Sequence, residues 1–246
     1  MGMTIALSLG TTVRKLAVQV AFGVLVSSGV HAQTDFRNLN FEAARVPDLP
    51  PDSIGEVVPR SQALPVWLAQ VGANTDPSSN HNFLFHGTAG ISIFGPQSPM
   101  IAPEGRYFVV LQAGQNPMTP PGGLVDASIS QFGTVPTFAQ SVQFLSSQGM
   151  PNAALSFGGQ LLPFTLLSIE PSGWGRWGAD ITAFAGQSGE LRFSALGMPG
   201  PDFGFFLEDI RFSPLPVPEP STWALLGVGT VLLFVTRKFL PRRPCR

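Results

Sequence analysis

Short segments in which apolar and polar residues alternate recur along the middle of this 246-residue chain. In the segment 190–195 three apolar residues alternate with two charged residues and a serine, and 39–43 and 141–145 show the same period. A β-strand with one buried and one wet face requires this period of two. The 27 glycines and 24 prolines of the chain punctuate such segments, and no amphipathic helix longer than a turn or two is visible. The pattern predicts an all-β domain.

The number of predicted strands indicates how they are arranged. The remaining strands are predicted at 82–86, 91–94, 107–112, 125–132, 164–169, 177–182 and 204–212. About ten short strands favour two packed sheets. Phenylalanine outnumbers tyrosine by 20 to 1, which fits a core filled by rings that carry no hydroxyl group. We therefore expect a single β-sandwich over residues 33–216.

Residues 217–246 combine a short motif, an apolar run and a basic tail. The motif is Pro218-Glu219-Pro220, and Ser221–Thr236 contains no charged residue. The cations of the tail are Arg237, Lys238, Arg242, Arg243 and Arg246. As a helix the run spans roughly 24 Å, slightly less than the roughly 30 Å hydrocarbon core of a bilayer. The cations favour a transmembrane helix at about 221–236 that leaves its basic end, 237–246, in the cytoplasm. The alternative is a buried helix of a soluble domain.

This order of motif, apolar run and tail resembles the PEP-CTERM sorting signal of Gram-negative bacterial surface proteins. The triplet Pro218-Glu219-Pro220 is intact, and 221–227 also follows the usual sequence of the family. The resemblance implies export through the inner membrane, retention by the C-terminal helix, and removal of helix and tail by an exosortase near the motif. It also implies a final place at the cell surface or in the extracellular matrix, in association with exopolysaccharide or biofilm.

The N-terminus has the pattern of a signal peptide. Arg14 and Lys15 precede the apolar run 16–30, and Val30 and Ala32 stand where a signal peptidase reads its cleavage site. Cleavage before Gln33 is therefore predicted, which makes 1–32 the signal peptide. A transmembrane anchor is the alternative, but the run is short and leads into a polar segment.

The predicted exported segment is acidic. Residues 33–216 contain seven arginines, no lysine and fourteen carboxylates, so their net charge is 7 − 14 = −7. Nucleic-acid binding needs a basic surface, and this balance argues against it. The one cysteine of the chain, Cys245, lies in the basic tail, so the exported segment cannot form a disulfide.

Two short motifs frame the predicted domain. Asn40-Phe41-Glu42 stands near its start, and the acidic pair Glu208-Asp209 lies inside the last predicted strand. This combination resembles galactose-binding-like jelly rolls, which include many carbohydrate-binding modules. The resemblance implies that the first and last strands lie together, with a structural calcium ion beside them. The usual closing pair of that family is two aspartates, and Glu208 replaces the first of them.

The last predicted strand carries a carboxylate on its core face, which also indicates an ion. The period of two places Glu208 on the same face as Phe206 and Ile210. A carboxylate on a core face is costly unless it is paired or bound to a metal. Together with backbone carbonyls, Glu42, Glu208 and Asp209 would supply the oxygen ligands that calcium prefers. A salt bridge to an arginine, and a strand end that has reached water, are the alternatives.

Two tryptophans among glycines form the candidate sugar site. Trp174 and Trp177 lie in the glycine-rich segment 173–178, with Arg176 between them. On an exposed loop the rings would stack on a sugar, and the guanidinium would bind hydroxyl or carboxylate groups. The alternative is that both rings cover the end of the sandwich core.

Catalytic patterns are scarce in the exported segment. His81 and His86 are five residues apart, which on a strand places them on opposite faces and argues against a shared metal. The sequence contains no nucleophile elbow, phosphate loop or zinc-binding helix motif. Nothing in the spacing selects a pair among the fourteen carboxylates. We therefore expect a non-catalytic surface or matrix protein with an adhesive or structural role. A carbohydrate-binding module and a small extracellular hydrolase are the alternatives.

Overall fold

The computed structural model describes residues 35–50, 53–76, 78–84, 87–116, 123–147, 150–198 and 204–218. All of them belong to the unit that begins at Gln33. Across these ranges the helical segments are a four-residue α-helix, α1 (Arg60–Ala63), and a 3-10 turn at Thr182–Phe184. The predicted all-β class is therefore confirmed.

The predicted signal peptide, the predicted membrane helix at 221–236 and the basic tail lie outside the described residues. Within the described part of the chain, none of the helices has the length and apolarity that a membrane crossing requires.

The described residues form sixteen strands. In chain order they are β1 (Glu56–Pro59), β2 (Leu68–Val71), β3 (Asn74–Thr75), β4 (Ser78–His81), β5 (Gly90–Phe94), β6 (Phe108–Gln112), β7 (Gly114–Gln115), β8 (Leu124–Val125), β9 (Ala127–Thr134), β10 (Ser141–Ser146), β11 (Ala153–Phe157), β12 (Gln160–Leu161), β13 (Phe164–Ile169), β14 (Gly175–Asp180), β15 (Ser188–Ala195) and β16 (Phe205–Ser213).

The strands form two main sheets. The larger sheet has the order β1-β4-β5-β6-β16-β10-β14-β13, and the smaller has the order β12-β11-β15-β9-β2-β3. Strands β7 and β8 form a separate pair. Neighbouring strands run antiparallel except β4 and β5, which are parallel. The expected galactose-binding-like jelly roll is not confirmed.

The main core lies between the two sheets. Val109 and Leu207 contribute to it from the larger sheet, and Ile129 and Phe193 from the smaller, all of them fully buried. This is the arrangement of a β-sandwich. The buried members of this core that the structure describes all lie within 41–210, so residues 33–218 supply a hydrophobic core of their own.

A second cluster covers the outer face of the larger sheet. Phe94, Phe108 and Val110 are buried there, and Trp174 and Phe206 pack against them. We call these five residues the outer cluster.

The expectation of one wet face per strand holds for some strands and not for others. In β15 Leu191, Phe193 and Ala195 are fully buried, as the alternation predicts. In β10 every residue is buried, because this strand lies inside the larger sheet. The predicted wet face of 141–145 is therefore wrong.

The segment 39–43 is a turn, not the predicted strand. Phe41 has a φ of 60° and is fully buried in the main core. The side-chain oxygen of Asn38 accepts a hydrogen bond from the backbone N–H of Ala43 at 2.9 Å, which closes the turn. The backbone N–H of Ile210 donates to the carbonyl of Leu39 at 3.0 Å, so this early segment does contact the last strand.

A β-bulge in the last strand, β16, changes which side chains lie on each face of the sheet. The pairing of β10 with β16 shifts so that Asp209 and Ile210 together lie opposite Phe144. Asp209 has a φ of 41°, in the left-handed region that bulges use. Phe206 consequently packs in the outer cluster, whereas Ile210 lies in the main core. The prediction that Glu208 shares one face with both Phe206 and Ile210 is therefore wrong.

Candidate functional site

A buried arginine surrounded by carboxylates lies on the outer side of the larger sheet. The guanidinium of Arg176, in β14, is 3% exposed. Its Nη1 donates to the Oδ2 of Asp209 at 2.6 Å and to the main-chain carbonyl of Asp209 at 3.1 Å. Its Nη2 lies 3.4 Å from Oε1 of Glu104, and its Nε lies 3.6 Å from Oε1 of Glu170. The last distance is too long for a hydrogen bond, so Nε is buried without one.

We call Arg176, Glu104, Glu170 and Asp209 the arginine cluster. Glu208 lies beside this cluster and is 1% exposed. Its Oε2 accepts a hydrogen bond from the backbone N–H of Glu104 at 3.1 Å. Burial is the largest cause that raises the pKa of Glu208, which reaches about 8. The hydrogen bond from Glu104 opposes this shift of the pKa, and the neighbouring carboxylates add to it. Glu208 is therefore mainly protonated at neutral pH.

Glu42 fixes the loop that precedes β6. Its Oε1 accepts hydrogen bonds from the backbone N–H groups of Arg106 at 2.6 Å and Tyr107 at 3.0 Å. Gly105 lies under this carboxylate with a φ of 61°, and a Cβ atom there would be 2.4 Å from the Oε1 of Glu42. The carboxylate thus replaces the backbone partners that this loop lacks.

The three predicted calcium ligands each have a partner within the protein. Glu42 binds backbone N–H groups, Asp209 binds Arg176, and Glu208 accepts a hydrogen bond from the backbone N–H of Glu104. Over the described residues, no group of three or more His, Cys, Asp or Glu side chains is arranged to hold a metal ion. As placed, these side chains do not present a ready oxygen cage. Calcium binding stays a prediction, tested by a thermal-shift series with calcium and then with chelator.

The two tryptophans of the predicted sugar site lie in different clusters. Trp174 packs edge-on against Phe108 at a centroid distance of 5.4 Å, in the outer cluster. Trp177 packs against the main core, with its ring 5.8 Å from that of Phe164. Arg176, which was to bind the sugar with them, is buried among carboxylates. The structure therefore does not bring the three residues into one binding platform.

A histidine is buried near the edge of the larger sheet. The Nδ1 atom of His81, in β4, lies 3.6 Å from the Oε1 atom of Glu56, in the neighbouring β1. Neither ring nitrogen has a hydrogen-bond partner within the described residues. Burial, the larger effect, lowers the pKa of His81, and Glu56 opposes the shift. His86 lies outside the described residues.

An open pocket of about 320 Å³ lies where the chain enters the sandwich. The rings of Phe36, Phe138 and Phe212 line it, and Asp35 and Arg211 add one charge of each sign. The rings of Phe36 and Phe212 are 5.4 Å apart. Phe138 is 57% exposed. The pocket thus offers apolar ring surface beside polar groups.

Sequence reasoning missed Glu104 and Glu170 of the arginine cluster and the three rings of the pocket. Glu170 precedes Arg176 by six residues, just before the turn that leads into β14. Its contact with Arg176 could therefore have been inferred from the sequence. Glu104 is brought to the cluster from 72 residues away, and nothing in its local sequence indicates this contact.

The chain is held against the larger sheet almost up to the sorting motif. The hydroxyl group of Ser141 donates to the carbonyl of Leu215 at 2.7 Å. Val217 lies against the backbone at Gly178, where a built Cβ atom would be 3.4 Å from a Val217 methyl group. Pro218 is the last described residue before the C-terminus.

Comparison with known proteins gives one match. The family model described as the PEP-CTERM protein-sorting motif matches residues 216–243. Neither the search of curated proteins nor the search of solved structures finds a match. The matched segment contains Pro218-Glu219-Pro220, the apolar run and the cations as far as Arg243. The chain therefore carries a C-terminal PEP-CTERM sorting motif, which implies an exported protein that an exosortase processes at the membrane.

Proposed function

We propose that the chain is a non-catalytic protein of the cell surface or extracellular matrix of a Gram-negative bacterium. Signal peptidase removes residues 1–32, and the exosortase removes the segment beyond the motif. The sandwich then has an adhesive or structural role in exopolysaccharide or biofilm. The observation that carries this proposal is the sorting motif at 216–243, because such a motif marks a secreted protein for processing at the membrane.

The described chemistry of the sandwich supports a scaffold role. The buried guanidinium of Arg176 is neutralised by Asp209 and approached by Glu104 and Glu170. Glu208 is hydrogen-bonded to the backbone. Ionisable groups that are tied to each other in this way stabilise one rigid arrangement, and none of these five lines the described pocket.

The test is deletion of the gene in the source bacterium. We expect the total exopolysaccharide to be unchanged and the cohesion of biofilm or floc to fall. Complementation with the wild-type gene should restore cohesion, and complementation with a Glu219→Ala gene should not. Normal cohesion in the deletion strain would overturn the proposal.

Carbohydrate binding at a defined site is the second candidate, and the pocket favours it. A volume of about 320 Å³ falls in the range of small-molecule sites. Exposed ring faces pack against the C–H face of a sugar, while Asp35, Thr134 and Arg211 offer groups for its hydroxyls. This location differs from the predicted one at Trp174–Trp177.

Affinity electrophoresis separates the two locations. The fragment 33–218 is run in gels with and without the bacterium's own polysaccharide. Retardation that is lost in Phe138→Ala and kept in Phe132→Ala would place the site in the pocket, because Phe132 is similarly exposed, at 52%, but lies outside it. Retardation that is lost only in a Trp174→Ala, Trp177→Ala double variant would place it at the tryptophans. Migration that polysaccharide does not change contradicts this second candidate.

A further inference from the structure

In the part of the chain that the structure describes, strand β13 is an edge of the larger sheet. It pairs with β14 on one side and is the last strand of the sheet on the other. An edge strand carries a row of backbone N–H and C=O groups that another strand can bind. β13 is six residues long, enough to act as such a template.

The other described edges carry the features by which proteins block strand addition. At the opposite edge of the larger sheet, β1 contains a charged residue, Glu56, and a proline, Pro59. The edges of the smaller sheet, β12 and β3, have two residues each. Short length, charge and proline all hinder pairing with another chain. β13 contains neither a charge nor a proline.

Exposed apolar side chains lie along the same side of the sandwich. The chain passes from β12, the edge of the smaller sheet, to β13 through residues 162–163, so the two edges are adjacent. Leu161 in β12 is 70% exposed, and Leu166 and Ile169 in β13 are 40% and 50% exposed. Clustered exposed apolar residues of this kind are typical of a protein interface.

The distribution of charged residues favours a second copy of this chain as the partner at β13. The exported segment has a net charge of −7, so two copies repel each other over most of their surfaces. Residues 127–169, which contain β9 to β13, include no Asp, Glu, Lys, Arg or His. The next charge along the chain, Glu170, directly follows β13, and an antiparallel pairing of two copies places their Glu170 side chains at opposite ends of the contact.

A bulge limits where the pairing takes place. The register of β13 with β14 shifts between Leu166 and Ser168, so Leu167 is the extra residue. The regular part of the edge is therefore Phe164–Leu166, and Thr165 is its centre. A two-fold axis at Thr165 would set Phe164 of one copy opposite Leu166 of the other.

We propose that β13 pairs antiparallel with β13 of a second copy of this chain. The contact joins two large sheets into one through backbone hydrogen bonds, and it is isologous. It gives the exported protein a means of cross-linking to itself that does not depend on any polysaccharide. Failure of polysaccharide binding would therefore leave this inference intact, and its failure would leave the proposed matrix role intact.

The first test is analytical ultracentrifugation of the fragment 33–218 over a range of concentrations. We expect a monomer–dimer equilibrium in the wild type. Leu166→Lys should raise the dissociation constant at least about tenfold, because a lysine on an edge strand blocks pairing. The matched control is Val57→Lys on the opposite edge, where Val57 is 60% exposed, and it should leave the equilibrium unchanged. A monomeric wild type, or equal effects of the two lysines, would overturn the proposal.

A second variant keeps the test valid if Leu166→Lys fails to fold. The fragment contains no cysteine, because the one cysteine of the chain is Cys245. Thr165→Cys should therefore form a disulfide-linked dimer under mild oxidation, since paired residues on adjacent strands have the short Cβ separation that a disulfide requires. Val57→Cys is the control. Cross-linking of Thr165→Cys no faster than that of Val57→Cys contradicts the proposed pairing.

Discussion

The guanidinium of Arg176 holds Asp209 by both its carboxylate, at 2.6 Å, and its main-chain carbonyl, at 3.1 Å. Asp209 is the bulge residue of the last strand, with a left-handed φ of 41°. A non-glycine residue pays a conformational cost there, which the double contact offsets. Because the bulge sends Glu208 and Ile210 to opposite faces of the sheet, this one arginine helps to position both.

Arg176→Met should destabilise the domain by about 1–3 kcal/mol, because Asp209 loses two hydrogen bonds from a charged donor. Urea denaturation of the fragment 33–218 measures this change. The control is Arg211→Met, whose guanidinium is 51% exposed and lies 3.8 Å from the same carboxylate. That exposed pair should contribute no more than about 1 kcal/mol. Equal losses in the two variants would contradict the role assigned to Arg176.

The pKa of Glu208 sets a pH dependence of stability. Because its pKa is raised from 4.5 to about 8 on folding, the folded state holds this proton more tightly than the unfolded state. Its contribution to stability is full below pH 4.5 and is lost as pH rises through about 8, by at most about 1.4 kcal/mol per pH unit. Glu208→Gln keeps a neutral side chain, so thermal unfolding across that window should show a flatter profile.

Glu190 is the matched control for the Glu208 prediction. Burial raises its pKa, but hydrogen bonds from Ser130 and Arg192 and the charge of Arg192 outweigh this, so the net shift is downward. Ionised Glu190 therefore contributes to the stability of the domain above pH 4.5, and this contribution is lost as pH falls through its folded-state pKa. Glu190→Gln should therefore alter the profile only at the acid end. A profile for Glu208→Gln parallel to that of the wild type between pH 4.5 and 8 would refute the buried, protonated state.

His81 should titrate below its ordinary value of 6.5, because burial lowers its pKa more than Glu56 raises it. A folded-state pKa below that of the unfolded chain means that stability is lost as pH falls below 6.5. NMR titration of the fragment measures the midpoint, with His86→Gln to assign the signals. Glu56→Gln removes the opposing charge and should move the midpoint lower still. A midpoint at or above 6.5 in the wild type would show that the ring is not buried as described.

Two glycine substitutions separate backbone strain from steric contact. Gly158 has a φ of 55° and open space where a Cβ atom would lie, so Gly158→Ala should cost about 1–2 kcal/mol from backbone strain alone. Gly105 has a φ of 61°, and a Cβ atom there meets the carboxylate of Glu42 at 2.4 Å. Gly105→Ala should therefore cost more than Gly158→Ala in urea denaturation. The reverse order would contradict the contact between Glu42 and this loop.

Sorting should depend on the charged centre of the motif. Glu219→Ala is expected to leave a longer, membrane-retained form of the protein, because the exosortase motif is altered. Mass spectrometry and membrane fractionation of the exported protein measure this. Asp48→Ala removes an exposed carboxylate far from the motif and should be processed normally. Mature proteins of identical mass from the wild type and Glu219→Ala would argue against processing at this site.

Alternation of apolar and polar residues correctly predicted burial where only one face of a strand is buried. It failed where both faces of a strand are buried. The alternating segment 190–195 lies within β15, and its apolar residues Leu191, Phe193 and Ala195 are fully buried. β10 is central in its sheet, and the burial of Gln143 and Leu145 on its second face depends on neighbours distant in sequence. The bulge at Asp209 was not predictable either, because its distant partner Arg176 stabilises it.

The candidate site was predictable only in part. Glu42 and Asp209 lie close enough to Glu208 to contribute to its raised pKa, and calcium binding by these three residues stays a prediction. Their partners were not visible, because backbone N–H groups and Glu104 reach them through tertiary structure. Trp174 and Trp177 are an odd number of residues apart, and that spacing in an extended strand already implies opposite faces.

Two contacts fix the chain to the domain just before the motif that begins at Pro218. Ser141 donates a hydrogen bond to the carbonyl of Leu215, and Val217 packs against Gly178, so the linker to the motif is very short. If the exosortase cuts at this motif, as proposed above, it would act close to the sandwich. Anything later joined to the carboxyl end created by that cut would be mounted close to the sheet, with its direction set by the domain and not by a loose tether.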